Sequence, residues 1–236
     1  MRILALIPAR AGSKRLPNKN KLMLGSKPLV AWSIDCAKGL DFICDILVST
    51  DDPEIATIGK QFGAMVPWLR PAELATDESH VVDTLIHATD WYENNLGKVD
   101  GILLLQPTSP LRKKETIKAS IQLYKGGNCS GSVVSLSKVK THPAWCFQMG
   151  NEGSLKPFSN DDGFTKRAQD LETAYGLNGL IYVMNPQELR AKKKIIGEKT
   201  KGIVVDPGYE TLDIDTQDDF DLAEYYLAKN NLNNHV

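Results

Sequence analysis

The chain has 236 residues, 42% of them hydrophobic and 24% charged, with a formal net charge of −1. That size suits one large α/β domain with a small excursion better than two equal domains. Near-neutral charge excludes a general nucleic-acid binder, which would present a basic face, and no apolar run approaches the roughly 20 residues of a membrane span.

Residues 3–7 form an apolar run that reads as a buried strand, followed by a loop, residues 10–20, carrying Arg10, Lys14, Arg15 and Lys19 around Gly12-Ser13. A helical pattern runs from Pro28 to about Leu40. Residues 45–49 are the next strand. Asp52-Pro53-Glu54 opens a helix, with an Asp cap, a proline in the first turn and Gly63 as terminator. Residues 64–69 can be a strand, 79–95 are helical, and 101–105 are wholly apolar, as strands buried on both faces tend to be. Residues 114–124 repeat helically, and 132–136, 180–184 and 203–205 read as further strands. Thr216-Gln217-Asp218-Asp219 caps a last helix whose first-turn acids suit the macrodipole, and the Asn-rich tail after Lys229 is expected to fray. Such alternation predicts a three-layer, doubly wound α/β fold whose mixed sheet is mainly parallel. Residues 138–172 break the pattern, being rich in Pro, Gly, Asn and Asp with scattered aromatics, and a loop of that length usually has a task.

Met1-Arg2-Ile3 leads straight into a strand and then a charged loop, unlike a signal peptide, so residence in the cytoplasm is expected. Cys36, Cys44, Cys129 and Cys146 contain no C-x-x-C pair and are expected to be reduced thiols. His80, His87, His142 and His235 show no metal-ligand spacing.

The first loop carries the most chemistry. A glycine after a first strand lets backbone N–H groups turn toward an anion, and Arg10, Lys14 and Lys19 add charge at the sheet edge where such folds bind ligands. A solvated basic loop is the plain alternative. The spacing matches neither the P-loop nor the G-x-G-x-x-G fingerprint, which sets aside a Rossmann dehydrogenase. Far along the chain, Asp213 and Asp215 sit at i and i+2 of an extended segment, so their carboxylates face one side. They are either surface acids or a Mg2+ site completed by phosphates and water. Gln106 ends an apolar strand before Pro107, which places its amide at the ligand edge or leaves it capping loop backbone. Tyr182, on a late strand, reads equally as core.

Together these segments resemble the acylneuraminate cytidylyltransferases. The likeness rests on Ile7-Pro8-Ala9-Arg10-Ala11-Gly12-Ser13-Lys14-Arg15-Leu16-Pro17-Asn18-Lys19-Asn20, on Ser49-Thr50-Asp51-Asp52 and on Arg70-Pro71-Ala72-Glu73-Leu74-Ala75-Thr76-Asp77. It continues in Leu104-Leu105-Gln106-Pro107-Thr108-Ser109-Pro110-Leu111-Arg112, in Asn178-Gly179-Leu180-Ile181-Tyr182 and in Leu212-Asp213-Ile214-Asp215. It covers nearly the whole chain and implies one nucleotidyltransferase domain, 1–236, in which 138–172 is an inserted dimerisation arm of a homodimer.

The implied activity is Mg2+-dependent transfer of CMP from CTP to the anomeric hydroxyl of a 2-keto-3-deoxy sugar acid, releasing pyrophosphate, in cell-surface polysaccharide biosynthesis. By resemblance Arg10 and Lys19 bind CTP, Asn20 and Arg70 lie near its cytosine and ribose, and Asp213 and Asp215 hold the metal, while the loop's own chemistry adds Gly12, Ser13 and Lys14 to the nucleotide grip. Arg10, Lys19, Asp213 and Asp215 are the catalytic set, with Gln106 and Tyr182 toward the sugar and Arg167, Lys138 or Lys140 as the substitute for a sugar-facing arginine whose place is taken by Ala168. A base role for Asp213 is one further possibility. Where relatives carry an arginine pair before Gln-Asp, this chain reads Lys166-Arg167-Ala168-Gln169-Asp170, and Gly176-Leu177 stands before Asn178-Gly179 in place of Arg-Pro. Because bidentate carboxylate recognition is not freely replaced, the sugar acid is open among sialic, legionaminic, pseudaminic and octulosonate types. The alternative outside enzymes is a non-catalytic CTP-binding regulator; a guanylyl or uridylyl transferase would usually carry a more glycine-rich first loop.

Overall fold

The computed structural model describes residues 1–158, 162–206 and 208–230. In chain order the elements are β1 (Ile3–Pro8), β2 (Met23–Leu24), β3 (Lys27–Pro28), α1 (Leu29–Ala37), β4 (Ile43–Ser49), α2 (Pro53–Gln61), α3 (Val81–Leu96), β5 (Gly101–Leu104) and α4 (Lys114–Gly126). There follow β6 (Ser132–Lys138), β7 (Phe147–Met149), β8 (Leu155–Pro157), β9 (Tyr175–Met184), α5 (Pro186–Lys192), β10 (Thr200–Val204) and α6 (Gln217–Lys229). The Asn-rich end, with His235, lies outside the described residues.

Six strands form one sheet in the order β10-β6-β9-β5-β1-β4. β1 is parallel to β4 and β5, and β10 to β6, while β9 runs antiparallel between β5 and β6. The apolar runs follow from burial on both faces. Ile3, Ala5 and Ile7 of β1 point into a cluster with α1, α2 and α4, whereas Leu4 and Leu6 point into a second with α3 and Leu189 of α5. A third cluster joins Trp32 of α1, Leu24, Leu111 and Ile214 to Phe220, Ala223 and Leu227 of α6. It is this packing that brings the late Asp213–Asp215 stretch back to the first loop.

Two expectations change. Residues 64–69 form no strand; a single parallel bridge joins Leu47 to Met65, and Pro67 removes a donor just where a ladder would continue. α5 is a helix that apolar periodicity does not reveal, since Pro186 and Leu189 are its buried residues, although Asn185 caps it by accepting from Glu188 N.

Residues 139–158 and 162–174 form a lobe beyond the paired ends of β6 and β9, built on the antiparallel hairpin β7–β8. His142 closes its base: Nδ1 accepts from Ala144 N at 3.1 Å, so Nε2–H donates to the Glu172 carbonyl at 2.9 Å. Phe147 meets Phe164 edge to face at 6.0 Å, and Met149, Leu155 and Phe158 stand 62–78% exposed. Among the described residues no helix is long and apolar enough to cross a membrane.

Candidate active site

A recess of about 550 Å³ opens at the carboxyl ends of β1, β4 and β5. Arg10, Gly12, Ser13, Lys14, Lys19, Asn20, Arg70, Gln106 and Asp215 all line it. The loop after β1 is pinned from below. Ala9 N donates to Ser49 O at the end of β4, Ala11 N donates to the Asp51 carboxylate at 3.0 Å, and the Asn20 amide donates to Arg10 O at 2.9 Å. Asn20 therefore holds the loop's backbone as well as facing the recess.

The loop cations divide between two acids. Asp77 bridges Arg10 and Lys14, at 2.9 and 2.6 Å from its two oxygens. These contacts, Lys14 foremost, hold its carboxyl below the usual range. Asp215 bridges Lys19 and Arg15, at 3.0 and 3.1 Å. Lys19 is the most enclosed of the four cations, with only 11% of its side chain exposed, and it also donates to Ile214 O at 2.7 Å. Asp219, placed from sequence on the macrodipole, does more than that. Its Oδ2 accepts from Asp215 N, Thr216 N and the Thr216 hydroxyl, so the cap of α6 fixes the backbone of Asp215.

Asp213 stands beside this group without lining the recess. Its outer surface is open, yet the protein packed around it desolvates the carboxyl and pushes it up. Asp215 adds to that rise, while Thr108 and Lys19 oppose it. Tyr182 is half-buried on the second core cluster and does not line the recess; burial, with Asp213 adding, pushes its phenol up. Arg167 is in the lobe, 74% exposed and paired with Asp170 at 2.8 Å, and is not brought to the recess.

Two arginines are buried at the recess, Arg70 in its wall and Arg112 behind Gln106. Arg70 donates to the Ser49 hydroxyl at 3.0 Å and to the Ser49 carbonyl, which fixes the end of β4. Burial pushes it down to about 10, against the pull of Asp51. Arg112 donates to the carbonyls of Gln106 and Leu180 and to the Ser33 hydroxyl. Sequence reading missed the roles of Asp51, Asp77, Arg112 and Asp219. The signals were present, since Asp51, Asp77 and Arg112 lie within the quoted motifs and Asp219 completes the Thr216 cap.

Asp213 and Asp215 offer oxygen donors only, which suits a hard divalent cation that takes its other ligands from phosphates and water. The raised Asp213 carboxyl, crowded by its neighbour, is the group that a bound cation would relieve. Among the described residues no cluster of three or more ligating His, Cys, Asp or Glu side chains exists.

The model of a family described as "Cytidylyltransferase" matches residues 4–226. The chain belongs to that family. It is 41% identical to the CMP-N,N'-diacetyllegionaminic acid synthase of Legionella pneumophila over 98% of each chain. An N-acylneuraminate cytidylyltransferase of Streptococcus agalactiae is 36% identical over 93% of this cytidylyltransferase, which spans 52% of that longer protein. A pseudaminic acid cytidylyltransferase of Campylobacter jejuni is 27% identical over 98% of each. The structure of a CMP:2-keto-3-deoxy-manno-octonic acid synthetase complexed with CTP superposes with a TM-score of 0.73 at 16% identity, covering 98% of this chain and 100% of that one. At that identity the likeness establishes the shared nucleotidyltransferase-like fold.

Proposed function

We propose that this cytidylyltransferase uses CTP and Mg2+ to convert a nonulosonic acid of the legionaminic type into its CMP derivative, releasing pyrophosphate. The observation that carries the acceptor class is the 41% identity with the legionaminic acid synthase across 98% of both chains. The geometry supports the nucleotide half, because the cation loop, the late aspartate and Gln106 face one recess at the strands' carboxyl ends.

In this reading the sugar's anomeric oxygen attacks the α-phosphorus of CTP, and the bond to the bridging oxygen of pyrophosphate breaks. Positioning and charge neutralisation dominate such a transfer. Arg10, Lys14 and Lys19 grip the triphosphate, with the N–H groups of Gly12 and Ser13 turned toward it. Arg70 and Asn20 fix the nucleoside end, and Gln106 and Tyr182 face the acceptor. Asp213 and Asp215 would hold Mg2+, which when bound spreads phosphate charge and acidifies a coordinated hydroxyl. Arg167 reaches the acceptor only if the lobe packs against a second copy. The exposed Met149, Leu155 and Phe158 support a homodimer built on that lobe.

The test is product mass. Purified protein, CTP and Mg2+ are incubated separately with N,N'-diacetyllegionaminic, N-acetylneuraminic, pseudaminic and 3-deoxy-manno-octulosonic acids. A CMP adduct with the first, formed fastest, is the expected result. Adducts with none, or with the octulosonate alone, would reject the proposed acceptor.

A further inference from the structure

Arg112 is only 2% exposed, yet its guanidinium bonds to two carbonyls and a hydroxyl rather than to a carboxylate. Burying a charge without an ion-pair partner is costly, and a packed apolar side chain often replaces such a group without loss of stability. Its acceptors show what its position achieves. Nη2 donates to Gln106 O at 2.7 Å, at the end of β5, and Nε donates to Leu180 O in β9 at 3.1 Å. Nη1 donates to Ser33 Oγ of α1 at 2.8 Å, and Ser33 in turn lies 3.4 Å from the same Gln106 carbonyl.

The two segments joined in this way carry Gln106, two residues past β5, and Tyr182 of β9. Leu180 directly follows Gly179, whose φ of +73° marks the irregular stretch where the register of β6 and β9 slips between Val134 and Leu136. Against β5, by contrast, β9 pairs regularly, and the last pair is Leu104 with Tyr182; beyond that pair the fixed fork of Arg112 donors bridges the carbonyls of Gln106 and Leu180 and so holds Gln106 against β9. The turn that Arg112 ends is also tied to the metal side. Ile214 N donates to Thr108 O at 2.7 Å, and Lys113 N donates to the buried Glu210 at 3.0 Å.

We propose that Arg112 is a positioning residue that holds Gln106 against β9, beside Tyr182, for the acceptor sugar without touching it. This inference rests on the acceptor-side assignment of Gln106 and Tyr182 under the proposed function. The nucleotide grip hangs mainly from β1, β4 and their loops, so the inference separates the two substrates.

The test compares wild type with Arg112→Lys, which keeps the charge but cannot bridge three acceptors. Calorimetric CTP affinity, sugar-acid KM, kcat and melting temperature are measured on each. The expected result is a sugar-acid KM raised about tenfold or more with CTP affinity within about threefold, a split that general loss of stability does not produce. An unchanged sugar-acid KM in folded protein, or parallel losses for both substrates, would overturn the inference. If Arg112→Lys does not fold, Ser33→Ala removes one acceptor and keeps the guanidinium. It is expected to raise the sugar-acid KM by about threefold with CTP affinity unchanged, and no rise would overturn the inference. Wild type that forms no CMP-sugar fails the proposed function itself, before any variant is compared.

Discussion

Lys19 Nζ stands 3.0 Å from Asp215 Oδ1, across 196 residues of chain. That contact joins the loop after β1 to the late aspartate segment, and the cation also holds the neighbouring Ile214 carbonyl. The recess is therefore built by folding both ends of the chain onto one sheet edge. Lys19→Ala is expected to lower kcat/KM by about 10²–10³, the size of one preorganised charged donor, and to weaken CTP binding by calorimetry. A loss below about threefold would show that Lys19 serves only the fold.

Asp77 holds Arg10 and Lys14, the two cations on the other flank of the loop. A triphosphate would compete with this carboxylate for both. All three side chains are substantially exposed, so each contact is worth at most about 1 kcal/mol. Asp77→Asn is accordingly expected to tighten CTP and pyrophosphate binding by about two- to fivefold. Weaker binding would mean that Asp77 orients the cations instead of competing for their charge.

Much of this was legible in the sequence, for identifiable reasons. β1, β4 and β5 are apolar on both faces because helices cover both sides, and Asp52 and Thr216 cap α2 and α6 as their residue types suggest. Lys19, Asp215 and Gln106 could be named because motif and strand-end position together fix them. What was not legible depends on long-range contact. Asp77 matters because it meets Arg10, and Arg112 because β9 returns antiparallel beside β5. α5 escaped because it has only 7 residues, of which Pro186 and Leu189 are the buried ones, too few to show an apolar stripe.

Glu188 gives a pH dependence. Contacts from Lys192, Gly131 N and Ser130 hold its carboxyl down at about 2, against an unfolded value of about 4.3. A lowered acid stabilises the fold fully above the unfolded value, and that contribution is lost as pH falls toward about 2. Glu188→Gln is expected to lower the melting temperature at neutral pH and to flatten its fall in acid. Parallel curves for wild type and variant would contradict this.

The lobe yields an assembly prediction. Met149 and Leu155 lie in paired positions of the hairpin and are 78% and 62% exposed. Replacing both by lysine is expected to convert a dimer to a monomer in sedimentation velocity while CTP binding persists. A monomeric wild type would remove the proposed assembly.

The role of Asp215 is tested most directly by pyrophosphate release from CTP with a nonulosonic acid at saturating Mg2+, in Asp215→Asn against wild type. Loss of about 10³-fold or more in kcat, with an unchanged circular dichroism spectrum, is the expected result. Turnover within about tenfold of wild type would contradict the metal-holding role assigned to this aspartate.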